Sequence, residues 1–272
     1  MSEQPLPEQS TPEPTGEQPP SEQPPSEQPP SEQPASERPT PQPTAMPASD
    51  PLAAPEYREA VVDLLGVLAY GELTAFSRLA ADSELAPTQP LRASVAAMAV
   101  AEFRHYEQLV KRLTEIGADP QQAMAPFIEP IDAFHERTRP SGWLEGLVKA
   151  YVGDGIATDF YREISAYVDE STRTLVNEVL VDVGQADFVV TVVREAIAAD
   201  RRVAGPLALW GRRLVGEALS QAQAVAVERD TLAGLLVGGH GRPGADLAEI
   251  GRMFTRLTDA HTRRMLRLGL GA

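Results

Sequence analysis

Glu102 and His105 are the residues of this chain whose type and spacing most directly suggest chemistry. At helical spacing, Leu91, Val95, Met98, Leu109, Leu113 and Ile116 form one apolar stripe. Glu102 and His105 fall on that stripe, where two more apolar side chains would belong. A carboxylate buried without a partner is costly. A carboxylate and an imidazole three residues apart on one helix face can instead ligate the same metal ion. The plainer alternative is a hydrogen-bonded core pair.

The elements that must position this pair read as helices throughout. A first helix is predicted from about Glu56 to Ala81, started by Pro55, with Val61, Leu65, Leu68, Phe76 and Leu79 as its stripe. Glu72 fills the gap in that stripe. The break at 82–87 makes a hairpin with a second helix over 90–116, which stops at Gly117. Glu72 lies about ten residues before the break and Glu102 about twelve after it. At roughly 1.5 Å of rise per residue they meet within one turn. Glu72, Glu102 and His105 can therefore converge.

Residues 118–142 read as a crossover holding His135, expected to be a surface or loop-packing histidine. A third helix is predicted from a Ser141 cap to about Val168, and a fourth from Ser171 to Ala204. Asp154 shares a face with Leu147, Tyr151 and Tyr161, and Asp159 neighbours Val152 and Ile156. Asp159 and Asp182 stand at matching distances from the turn at 169–171, so they are expected at one height as Glu72 and Glu102 are, with Gln185 one turn beyond Asp182. Gly153 and Gly155 in mid-helix leave room for a close backbone approach or for a substrate. A fifth helix is predicted from Pro206 to about Leu236 and a sixth from Ala245 to Leu268, with a loop over 238–244 between them. Glu217 is placed to pair with an arginine, and His261 is expected to be a satisfied structural histidine. Arg201, Arg202, Arg212 and Arg213 form a local positive cluster, either a solvated face or a phosphate contact. Strand signals are nearly missing. The fold class is all-α: a four-helix core with a long crossover and two additional C-terminal helices.

The first fifty residues differ in kind. They hold fifteen of the 25 prolines, repeat Ser-Glu-Gln-Pro-Pro from Ser21, and contain no aromatic residue. Such a segment cannot bury enough apolar surface to offset its ordering entropy, so 1–54 is expected to be a disordered acidic tail and 55–272 one helical domain. The tail to residue 50 carries −8 of the formal charge of −15, and the rest −7. That balance supplies no global field for nucleic acid. Cysteine is absent, which excludes disulfides and thiolate chemistry. No uninterrupted apolar run reaches a membrane span, and no secretory or transit signal is seen, so no membrane association and a cytoplasmic location are expected.

With these stretches in view, the chain resembles the ferritin-like proteins similar to tRNA isopentenyl-adenosine hydroxylases, non-haem diiron enzymes. The likeness runs from about Tyr57 to Met265 and is carried by 69–76, Glu102-x-x-His105, 151–160 and 209–217. Asp154 and Asp159 match the family's two acids five apart. The second Glu-x-x-His reads Asp182-x-x-Gln185 here. The resemblance implies a ferritin-like bundle, O2-dependent C–H hydroxylation, and an iron centre held by Glu72, Glu102, His105, one or both of Asp154 and Asp159, and Asp182. Gln185 would be a weak ligand, because an amide oxygen is a poorer donor than imidazole nitrogen. It also implies an external electron donor or redox partner and a tRNA or other nucleotide substrate, with the arginine cluster as its contact. The alternative is a metal-poor ferritin-like scaffold that works as an interaction protein.

Overall fold

Proline at the first turn and a polar cap set the two longest helices. α1 spans Pro55–Asp82 and α2 spans Gln89–Glu115, whose first N–H groups are met by Thr88. A 3-10 turn at Ser83–Leu85 folds α2 back along α1, as the sequence predicts. The computed structural model describes residues 50–180, 185–239 and 241–271, the side chains of 185 and 186 excepted. The expected acidic tail therefore lies outside the described residues up to residue 49. A 3-10 turn at Pro51–Ala53, capped by the Asp50 carboxylate, leads into α1. The described residues belong to one unit, Ala48–Ala272.

After the hairpin, the expected crossover is itself helical: α3 over Pro120–Met124, a 3-10 turn at Ala125–Phe127, and α4 over Ile128–Arg137. Asp119 caps α3 with two hydrogen bonds from backbone N–H groups. α5 runs from Trp143 to Ser165. Ser141 is not its cap; the Ser141 N–H donates to the Glu145 carboxylate at 2.7 Å. The single helix expected over 171–204 is two, α6 at Glu170–Val179 and α7 at Gln185–Ala199. The one expected over 206–236 is also two, α8 at Ala204–Glu228 and α9 at Asp230–Val237. α10 spans Leu247–Arg267. No strand occurs among the described residues.

The break between α8 and α9 has a tertiary cause. Asp63, buried on α1, accepts hydrogen bonds from Arg229 Nη2 at 2.5 Å and Nε at 3.2 Å, and one from the Thr231 hydroxyl. Arg229 takes φ −126° and ψ 83° at the junction, outside the helical region. A buried carboxylate requires such partners, and they are supplied where the chain turns.

The core forms two apolar clusters. One joins Leu64, Leu65, Leu68, Leu109 and Leu113 of the hairpin to Ile164, Val176 and Leu235. The other joins Leu79, Val95 and Met98 to α5, α7 and α8 through Val148, Val152, Val189, Val193 and Leu214. Each wholly buried leucine contributes about 1.5–3 kcal/mol. Pro55–Leu85 is long and apolar enough to cross a membrane by length and composition alone. Here it is a core helix, packed against α2, α3 and α9 and carrying the buried Asp63.

Candidate metal centre

The site lies between the two apolar clusters. Along α1 the buried positions stop at Ala69 and resume at Leu79; along α2, Glu102 is the one buried position between Ala99 and Leu109. Glu72, Glu102 and His105 occupy this level, as the hairpin register predicts. His105 Nδ1 stands 3.4 Å from Glu72 Oε2 and 3.5 Å from Glu102 Oε2. The three donor atoms all lie within 4.8 Å of one another. Their side chains are only 12%, 11% and 19% exposed for Glu72, Glu102 and His105.

The electrostatics follow from that packing. The contacts of Glu102 and Glu72 with His105 raise its pKa to about 10, against the opposing effect of burial. Burial pushes Glu72 well above the usual carboxylate range, with Glu102 and Asp154 adding to the rise. Burial would also raise Glu102, but its contacts with His105 and Glu72 outweigh it and hold it low. Without a metal, the cluster thus keeps an imidazolium between two acids. With one, the same nitrogen and oxygens are free to donate.

The remaining expected ligands are not all brought to this point. Asp154 lines the same cavity and is close enough to Glu72 for its charge to be felt there. Asp159 lines the cavity as well, but its carboxylate is held by Arg264 Nη1 at 2.7 Å and approached by Arg162 at 3.6 Å. Of the two acids that the resemblance offers here, one or both as ligands, Asp159 thus stands against a cation, in an ion pair in which its Oδ2 makes no hydrogen bond. Gly155 is what lets Arg264 in: a Cβ there would lie 2.6 Å from Arg264 Cδ. Asp182 and the side chain of Gln185 lie outside the described residues.

The arginines expected to form one cluster hold different parts of the fold. Arg202 pairs with Asp200 at 2.8 Å, Arg212 donates to the Gly271 carbonyl, and Arg213 donates to the Arg137 carbonyl at the end of α4. Arg201 is exposed. Glu217 faces Arg137 at 3.9 Å, in keeping with the expected arginine partner. His261 is buried, but neither ring nitrogen has a hydrogen-bond partner, contrary to the satisfied role expected of it. Burial and the Arg264 charge keep it neutral by lowering its pKa.

The three donors open into a cavity of about 560 Å³, lined mainly by apolar side chains of α1, α5, α8 and α9. Several lining residues carry polar groups that the sequence did not single out as functional. Tyr161 is raised in pKa by burial and by the Glu72 charge, so its phenol stays protonated. Its helical spacing from Asp154 was the available signal. Lys149 and His135 also line the cavity, and His135 lies on α4 rather than on a surface loop. Burial, helped by Lys149 and Arg78, lowers His135 to about 3.

The donor set fits one divalent transition ion. Two carboxylates and an imidazole balance its charge and suit its ligand preference. Glu72 Oε2 is buried without a hydrogen bond, so it has a lone pair to give. Among the described residues a second such set is not assembled, since Asp159 already carries an arginine. Residues 55–239 match the family model described as "Ferritin-like domain, actinomycetes". No curated protein matches the chain. With its all-helical architecture and inward-facing acids, the chain belongs to this ferritin-like family.

Proposed function

We propose that this protein is a metal-dependent oxidase or hydroxylase of the ferritin-like type, with iron held by Glu72, Glu102 and His105. One observation carries the reading: three ligand-type side chains from two helices converge in the gap between the two core clusters, facing an apolar cavity. Iron held there supplies electrons and open coordination positions for dioxygen activation. The balanced reaction converts a C–H bond and O2 to C–OH and water, with two electrons and two protons from an external donor. Glu72, Glu102 and His105 would hold the ion, and the mainly apolar cavity walls would orient the substrate beside it. Asp154 and the Tyr161 phenol border the same space as hydrogen-bonding groups. The resemblance to tRNA isopentenyl-adenosine hydroxylases supports a modified tRNA base as one substrate to assay, although the acidic charge and the engaged arginines do not favour RNA.

The test is metal content and an absorption spectrum of the full chain purified anaerobically with ferrous iron. One iron per chain is expected, falling to background in His105→Ala with helical content unchanged. Absence of bound iron in the wild-type protein under these conditions overturns the reading. A second reading, a non-catalytic ferritin-like scaffold, is favoured by the self-neutralised state of the acids: His105 between Glu72 and Glu102, and Arg264 on Asp159.

A further inference from the structure

The cavity has a second polar end that the metal reading does not use. On α1, Arg78 lies six residues beyond Glu72, roughly 9 Å of helix rise. On α5, Lys149 precedes Asp154 by five residues, and both line the cavity. Lys149 is 8% exposed. Its ammonium donates to the Thr138 carbonyl at 2.7 Å and lies 5.6 Å from the centre of the Phe134 ring. Among the described residues it has no carboxylate within 4.0 Å. An ammonium offers three donors, so two are left for a ligand. Beside it, His135 Nδ1 is buried without a hydrogen-bond partner. Burial lowers Lys149 to about 8, which marks a cation short of compensating charge.

We propose that the cavity binds an amphipathic carboxylate, with its headgroup on Lys149 and His135, Arg78 at the rim, and its apolar body extending toward Glu72, Glu102 and His105. The volume of about 560 Å³ suits a medium-chain ligand, within the roughly 300–1,000 Å³ of small-molecule sites. Two acids oppose the headgroup. Asp82 lines the cavity near Lys149, and Glu136 faces Arg78 at 3.8 Å. Arg264 is the competing anchor, because two of its guanidinium nitrogens are buried without hydrogen bonds. Its charge, however, is already matched by Asp159 at 2.7 Å, whereas Lys149 has no such partner. The inference deepens the proposed oxidation by naming a substrate class, but binding itself does not depend on the metal.

Calorimetric titration of the full chain with decanoate, decanol and decyltrimethylammonium tests it. Decanoate is expected to bind at least tenfold more tightly than the other two. Across shorter homologues, affinity should change by roughly 3- to 4-fold per methylene. Lys149→Met should weaken decanoate at least tenfold and leave decanol unchanged, and Asp82→Asn should tighten decanoate. Arg78→Gln serves as the check should Lys149→Met fail to fold, with a smaller loss of decanoate affinity expected. Equal binding of decanoate and decanol overturns the proposal. So does a decanoate affinity that depends on Arg264 rather than Lys149, which would place the headgroup at the other end. So does an affinity lost in His105→Ala or after chelation, which would place the carboxylate on the metal and leave the metal reading standing. Decanoate binding that survives chelation in a chain that never takes up iron supports this inference while removing the oxidase.

Discussion

Replacing Asp169 with asparagine and following stability against pH measures what one buried charge contributes to the junction of α1 and α6. Its Oδ2 accepts from the Tyr57 hydroxyl at 2.8 Å and the Thr172 hydroxyl at 2.7 Å. Its Oδ1 accepts from the Ser171 hydroxyl at 2.6 Å and the Thr172 N–H at 3.1 Å. Burial would raise the carboxyl pKa, but these four donors outweigh it and hold it at about 2, against 3.8 ordinarily. At about 1.4 kcal/mol per pKa unit, the ionised form stabilises the fold by about 2 kcal/mol. The pKa is depressed in the folded state, so this stability is present above the unfolded value near 4 and is lost as pH falls through about 2. Asparagine removes the charge and keeps one of the two acceptor oxygens, so the cap can be retained while two of the four hydrogen bonds are lost. Urea unfolding of wild type and Asp169→Asn should therefore differ by at least about 2 kcal/mol at pH 5–7, with the gap narrowing by about 2 kcal/mol as pH falls from about 4 through about 2. A gap that is absent at pH 7, or that persists unchanged at pH 2, refutes the argument. Taking the difference between the two proteins cancels the other carboxylates that titrate in the same range. Tyr57→Phe should interact strongly with Asp169→Asn in a double-mutant cycle, since the Tyr57 hydroxyl donates to the Asp169 carboxylate that the second substitution alters.

Two further substitutions probe packing and the site. Gly66→Ala places a Cβ 2.2 Å from the Ala123 carbonyl oxygen, where backbone rather than a movable side chain must yield. A loss of about 1–3 kcal/mol is expected, read as a lower urea midpoint; an unchanged midpoint contradicts the close approach of α1 and α3. Glu72→Gln in metal-free protein should stabilise by about 0.5–2 kcal/mol, because it removes a buried carboxylate with an unbonded oxygen. The same variant should lose metal, and a lower thermal midpoint would show that the acid is structural.

The convergence of Glu72, Glu102 and His105 was legible because a short turn fixes the register of two long amphipathic helices. Acid and imidazole on an apolar stripe then have only one place to point. Elsewhere the pattern misled for identifiable reasons. Nothing in the local sequence around Arg229 is a helix breaker; the break depends on Asp63, 166 residues earlier, needing a partner. The expected pairing of Asp159 in height with Asp182 lies outside the described residues on its Asp182 side. Helix spacing carries no sign that Arg264, more than a hundred residues later, reaches Asp159 over Gly155. Lys149 and His135 were hidden for a similar reason. The stretch over 118–142, expected only as a crossover, contains α4, which lines the cavity and brings His135 and the Thr138 carbonyl to Lys149.

Arg264 also bears on how many ions the site would hold. Ferritin-like dimetal sites use a carboxylate from each of two helices and Glu-x-x-His from each of the other two. Among the described residues here, one half is intact, while Asp159 in the other half is bound to a guanidinium that stays charged at any physiological pH. Drawing Asp159 onto a metal would strand that cation, whose side chain is 15% exposed. Breaking a buried pair from one side costs about 3–5 kcal/mol. A second ion that drew on Asp159 would have to repay that cost. The arginine thus already supplies positive charge at Asp159, and among the described residues the donors drawn together for an ion are those of Glu72, Glu102 and His105.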